Sequence, residues 1–217
     1  MPTVKDLGVT VDCDATFQSH IDAVVRKGSQ QAGWILRVFR TREAYAMLVL
    51  YRALVLPHLE YCCQLWTPIT IGKIRRLEAI QRSYTSKFHS IGSSNYWQRL
   101  KSLRLYSLER RRERYLIVYT YKIMQNIHPN FSNEKFQIKT HVSDRRGRTC
   151  VIPPINTRSA ASVASLVEAS FPIRGPRLFN VLPMEIRNCN GSVETFKSKL
   201  DKFLAKIPDQ PCLPGYQ

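Results

Sequence analysis

The chain has 217 residues, 44% of them hydrophobic, which is enough for one domain with a sizeable core or two small ones and too apolar for disorder throughout. Its 33 Lys and Arg stand against 16 Asp and Glu, a formal net charge of +17 at pH 7. A surplus of that size favours polyanionic partners, nucleic acid first and an anionic membrane second.

No run reaches the roughly 18 apolar residues of a membrane span. The start, MPTVKDLGVTVD, has neither the basic opening nor the apolar middle of a signal peptide. The expected setting is therefore intracellular, nucleus or cytoplasm, with reduced thiols and no membrane partner.

Residues 4–11 read as one short strand with Leu7, Val9 and Val11 on a shared face, and DCDATF turns the chain. Ser19 or Asp22 is placed to cap the helix that follows, through about residue 39. From 41 to 66 the spacing is helical. Leu48, Tyr51, Val55, Leu59, Cys62 and Trp66 form one stripe, and Leu50, Leu54, His58, Tyr61 and Leu65 a second, so the helix should be mostly enclosed. Pro57 removes a donor and crowds the Ala53 carbonyl, which predicts a kink or a break. Trp66-Thr67-Pro68 ends the element.

Residues 70–91 predict an amphipathic helix with Ile74, Leu77, Ile80, Tyr84, Phe88 and Ile91 inward, broken by GSSN at 92–95. A short helix, YWQRLKSL, comes next. Ser107 should cap a long helix carrying RRRER at 110–114, in which Arg110 and Arg114 point away from the apolar face. Arg112 falls at the centre of that face, so it must snorkel, pair with a carboxylate or meet a phosphate. Residues 136–155 hold β-prone pieces around the basic turn DRRGR, and NTRSAAS reads as loop. SFPIRGPRLFNVLP should begin extended and turn helical after Gly175-Pro176. Ser192 should cap a last helix with Val193, Phe196, Leu200, Phe203, Leu204 and Ile207 inward, and Pro208 should stop it. The fold class is mainly α, with a short N-terminal strand and a small mixed α/β C-terminal region.

Residues 71–116 concentrate the charge: twelve Lys or Arg against Glu78, Glu109 and Glu113. The candidate nucleic-acid contacts are Arg75, Arg76, Arg82, Lys87, Arg110, Arg111, Arg112 and Arg114, because arginine suits planar contacts to phosphate. The alternative is a basic face that is only solvated. No sequence-reading motif is visible.

Catalytic constellations are missing from the sequence. Asp12 and Asp14 have the spacing of a shared strand face and could hold a metal, but at a strand's end Asp more often builds a turn. The five histidines are scattered, and the six cysteines show no metal-ligand rhythm. Cys62 and Cys63 read as two small buried positions. No cofactor and no metal are expected.

Five blocks in order, KDLGVTVDCDATFQSHI, LYRALVLPHLEYCCQLWTP, IRRLEAIQRSYT, RLKSLRLYSLERRRERYLIVYTYKI and RGPRLFNVLP with FKSKLDKFL, resemble the C-terminal part of LINE-type, jockey-like non-LTR retrotransposon reverse transcriptases. The resemblance covers roughly residues 5–207. It departs at RSYTSK, 82–87, which is less basic than usual, and at Phe179, where Trp is commoner.

The resemblance implies a palm-strand remnant at 1–18, a helical thumb-like domain at 19–130, a C-terminal region with short strands and a final helix at 131–207, and a tail at 208–217. It implies that the catalytic aspartates of the parent RNA-directed DNA polymerase would lie upstream of Met1, and that Asp12 and Asp14 are not their equivalents. A thumb grips the primer–template backbone, so the expected partner is RNA or DNA, an RNA–DNA duplex included, held without sequence preference and without catalysis. Two further readings stay open. One is a helical protein-interaction or vestigial module, with a protein partner on the surface that a palm would cover. The other is a truncated gene model of an active enzyme, which an in-frame Tyr-x-Asp-Asp segment upstream would identify.

Overall fold

The structure, a computed structural model, describes residues 2–68, 70–125, 139–142, 149–152 and 170–209. These are mainly helical, and they group into two compact units. The first takes in Met1–Arg112 with Asp209–Gln217, the second Glu113–Pro208.

The first unit opens with a hairpin where the sequence suggests one strand. β1 (Thr3–Asp6) pairs antiparallel with β2 (Val9–Asp12), with Asp6 opposite Val9. Leu7 and Gly8, at φ 44° and 86°, make the two-residue turn. Both positions of such a turn need positive φ, which glycine accepts freely and leucine does not. Leu7 is thereby thrown out to 83% exposure rather than sharing a face with Val9. The lone strand that the sequence offers finds its partner in the residues just before it.

α1 (Gln18–Val38) packs on β2 and on the helices that follow, burying Ile21, Val24, Gly28, Ala32 and Ile35. Neither Ser19 nor Asp22 caps it. The Asp12 carboxylate instead accepts the Ser19 N–H at 3.2 Å, serving the exposed donors of the first turn from the end of β2. Asp14 accepts the Thr16 N–H and hydroxyl at 3.1 and 2.9 Å, so both aspartates build the turn. No group of three or more metal-ligating side chains occurs among the described residues.

The long element at 41–66 is three short helices. α2 (Ala44–Leu50) is N-capped by the Glu43 side chain and continues through a π-helical turn, Tyr51–Val55, into α3 (Leu56–Glu60). The widened turn, with Leu56 N–H bonded back to the Tyr51 carbonyl, lies just ahead of Pro57. The regular α-helical hydrogen-bonding is thus interrupted just ahead of the proline, where the sequence leads one to expect a kink or a break. The true break falls at Cys62, at φ 50°, after which α4 (Cys63–Trp66) runs to the expected end. The first stripe is buried at Tyr51, Val55, Leu59 and Trp66, with Cys63 in place of Cys62. The second stripe reaches solvent at Tyr61 and Leu65, so the element is enclosed on one side only.

α5 (Ile71–Thr85) buries Ile74, Leu77, Ile80 and Tyr84, but ends six residues before the expected limit. Thr85 bonds back to the Gln81 carbonyl. The buried Arg99 takes the carbonyls of Gly92 and Ser94, holding residues 86–94 as a compact turn. Phe88 remains buried there, edge-on to Tyr84 at 5.4 Å. α6 (Tyr96–Ser102) is capped by Asn95, and α7 (Leu108–Met124) by Ser107, whose Oγ accepts the Arg110 N–H at 3.1 Å.

In the second unit β3 (Lys139–Val142) pairs antiparallel with β4 (Thr149–Ile152). α8 (Phe171–Val181) starts before the expected point: Pro172 sits in its first turn and Pro176 inside it. α9 (Met184–Arg187) and α10 (Val193–Leu204) follow, the latter capped by Ser192 as its sequence suggests. The core here is Leu116, Tyr121, Phe179, Phe196 and Leu200, with the Tyr121 and Phe196 rings stacked at 3.9 Å. Val193 is half-buried and Ile207 exposed, so the buried face of α10 is narrower than its sequence implies. Ile127, the turn 144–148, the loop 156–162 and the tail from 210 lie outside the described residues.

Candidate nucleic-acid interface

The eight cations nominated from sequence divide by helix. On α5, Arg76 and Arg82 are exposed and Arg75 is half-buried. Lys87 is exposed in the turn just past the helix. Arg76 reaches Asp22 of α1 at 2.7 Å, so α5 presents its basic side next to the start of α1.

The arginines of α7 meet carboxylates of their own chain. Arg110 pairs with Asp209 at 3.4 Å. Arg111 forms a two-pronged pair with Glu60, with Nη2 to Oε2 at 3.1 Å. In the second unit Arg114 does the same with Asp201, at 2.6 and 2.8 Å. Bidentate geometry of this kind fixes the guanidinium plane and uses the donors that a phosphate would need.

Arg112, only 2% exposed, lies in the interior at the centre of the apolar face, as its position on the wheel demands. Its charge acts on Glu78 and Cys63, drawing both toward ionisation against the effect of burial. Arg112 therefore does not snorkel to solvent, and its charge lies within electrostatic reach of the Glu78 carboxyl.

In the sequence Glu78 is only one acid among many cations. It is 1% exposed and accepts bonds from the Tyr96 hydroxyl and, at 3.0 Å, from the Leu108 N–H at the start of α7. Gln81 completes the group, donating to Tyr96 and to the Tyr106 carbonyl and accepting from Tyr51 at 2.9 Å. Burial pushes the Glu78 carboxyl up to about 7, with Tyr96, Arg112 and Leu108 pulling the other way. The sequence signal is present in the 3- and 4-residue steps that set Glu78, Gln81 and Thr85 among inward apolar positions.

Cys63 is buried and its thiol is pushed up to about 12, which makes it inert as a nucleophile or thiolate ligand. Cys62, expected inside, is exposed.

Most carboxylates of the first unit have structural duties. Asp12 and Asp14 shape the turn, Asp22 accepts from Gln18 and Arg76, and Glu43 caps α2. Glu60 and Asp209 hold arginines of α7, and Glu78 is interior. Asp6, Asp14 and Glu43 are exposed, but among the described residues of this unit they are outnumbered by exposed Lys and Arg such as Arg26, Lys27, Arg37, Arg76, Arg82 and Lys87. Sequence reasoning passes over α1, where Arg26, Lys27 and Arg37 are exposed and none is paired with a carboxylate among the described residues. Its signal is a helix holding a single acid, Asp22, in 21 residues.

No helix among the described residues is long and apolar enough to cross a membrane. No protein-family model and no solved structure matches the chain. It is similar to an uncharacterised protein of Caenorhabditis elegans, B0403.1, at 29% identity over 112 residues, a stretch making up 50% of this chain and 57% of that protein. The likeness thus spans little more than half the length of that relative.

Proposed function

We propose that the chain is a non-catalytic, sequence-independent binder of the RNA or DNA backbone, related to the thumb region of non-LTR retrotransposon reverse transcriptases. The observation that carries this is the division of charge in the first unit: most of its carboxylates are engaged in turns, caps and ion pairs or are interior, while cations on α1 and α5 face solvent. Neutralising phosphates with such cations releases counterions and needs no base contacts. The binding role falls to Arg76, Arg82 and Lys87 with the α1 cations. Arg110, Arg111, Arg112 and Arg114 serve the fold. Polymerase chemistry is left to other residues, since no Tyr-x-Asp-Asp occurs in the sequence.

Mixed-sequence RNA, DNA and RNA–DNA duplexes should bind with similar affinities that fall steeply between about 50 and 200 mM salt. Binding that ignores salt, or that prefers one sequence strongly, contradicts the proposal.

A second reading has one observation behind it. The Tyr61 hydroxyl donates to the Leu7 carbonyl at 2.8 Å, and Leu7, Tyr61 and Leu65 are all exposed. Exposed apolar side chains at the hairpin turn, with Tyr61 laid against Leu7, suit a protein partner. Leu7→Asp with Leu65→Asp would then abolish a complex while leaving nucleic-acid binding intact.

A further inference from the structure

Resting on the nucleic-acid reading above, we propose that the outer face of α1 is a single-strand site, with a base stacked on Trp34 and flanking phosphates held by Arg26, Lys27 and Arg37. At 100° per residue, Arg26, Gln30 and Arg37 lie within about 40° of one another, opposite the buried Ile21, Gly28 and Ile35. Trp34 and Lys27 lie beside them on the same exposed side. Arg26 and Arg37 are about 16 Å apart along the axis at 1.5 Å per residue, room for several phosphates of an extended strand.

Trp34 is a large apolar ring left 43% exposed on this basic face. It is not loose: Phe39 meets it edge-on at 6.3 Å. The one acid of the helix, Asp22, sits at its start and is already held by Gln18 and Arg76. An aromatic platform among unopposed cations is the combination that binds unpaired strands, since every base offers a π-face and the cations follow the backbone. A duplex buries its base faces and can use only the cations. The ring is therefore what makes a single strand the favoured occupant.

The test measures affinity for fluorescein-labelled oligothymidine, oligouridine and a matched DNA duplex at fixed salt. It compares the wild type with Trp34→Ala, Trp34→Phe and Arg26→Glu/Arg37→Glu, with each fold checked by circular dichroism. Trp34→Ala should weaken single-strand binding by roughly 5- to 150-fold, the range for loss of one base–aromatic stack. It should leave duplex affinity and the salt slope unchanged, and Trp34→Phe should retain most of the affinity. The double reversal should weaken single strand and duplex alike. If Trp34→Ala binds single strands as the wild type does, the stacking site is refuted while backbone binding stands, and Trp34 is better read as a protein contact. If the wild type binds neither form at low salt, the underlying reading fails as well.

Discussion

Glu78 shows how far the fold can carry one residue from what its sequence neighbours suggest. An acid in a stretch of twelve cations suggests a surface ion pair, yet this acid is interior, bonded to Tyr96 and to the first turn of α7. A carboxyl with a folded pKa of about 7, against an ordinary value of 4.5, keeps a proton that the unfolded chain gives up. Its contribution to stability is whole below pH 4.5 and lost as pH rises to about 7, amounting to about 3 kcal/mol across that window. Urea unfolding of the wild type should therefore show stability falling between pH 4.5 and 7 relative to Glu78→Gln. Parallel profiles for the two proteins would contradict this placement.

Arg111 makes a second case. Held on Glu60 with both groups mostly covered, it should cost about 1–3 kcal/mol when replaced by Ala, because Glu60 is left without its charged donor. RNA affinity should change little. A large loss of affinity without loss of stability would return Arg111 to the binding surface.

Among the elements, those with local chemistry are legible in the sequence and those governed by distant contacts are not. Ser107 and Ser192 cap because a hydroxyl ahead of a helical period is a short-range signal. The end of α5 escapes its periodicity because Arg99, which is fourteen residues beyond Thr85, fastens the turn that replaces the last helical turns. The hairpin reads as one strand because the Leu7-Gly8 turn asks a leucine to accept positive φ. Pro57 does disturb its helix, but the remedy, a π-helical turn, depends on the packing of Tyr51 and Val55 in the core.

Gly92 belongs to the same turn as Phe88. A Cβ there would lie 2.4 Å from the Ser86 carbonyl oxygen and 2.6 Å from that of Phe88, both backbone atoms. Gly92→Ala should lower stability by about 1–3 kcal/mol in thermal unfolding, the usual range for overpacking. An unchanged melting temperature would mean that the turn is not held as described.

Across the whole molecule, composition gives the sign of the charge but not its distribution. A net +17 is consistent with any placement of cations, and the densest run, RRRER, is the natural first choice. The structure gives Arg110, Arg111 and Arg114 of that run intramolecular carboxylates and buries Arg112, because α7 meets acids that are remote in sequence. Glu60 lies 51 residues before its arginine and Asp201 87 residues after. Local spacing cannot reveal pairs so far apart. The sparser cations of α1 and α5 are the ones left facing water.

The most direct measurement is the slope of log affinity against log salt for a mixed-sequence duplex, taken for the wild type and for Arg82→Glu/Lys87→Glu. A steep negative slope is expected for the wild type, shallower by about two in the variant, since each phosphate that is no longer neutralised removes about 0.9 from it. Circular dichroism checks that both proteins keep the same fold. A slope near zero, or the same slope in both proteins, would contradict backbone binding through these cations.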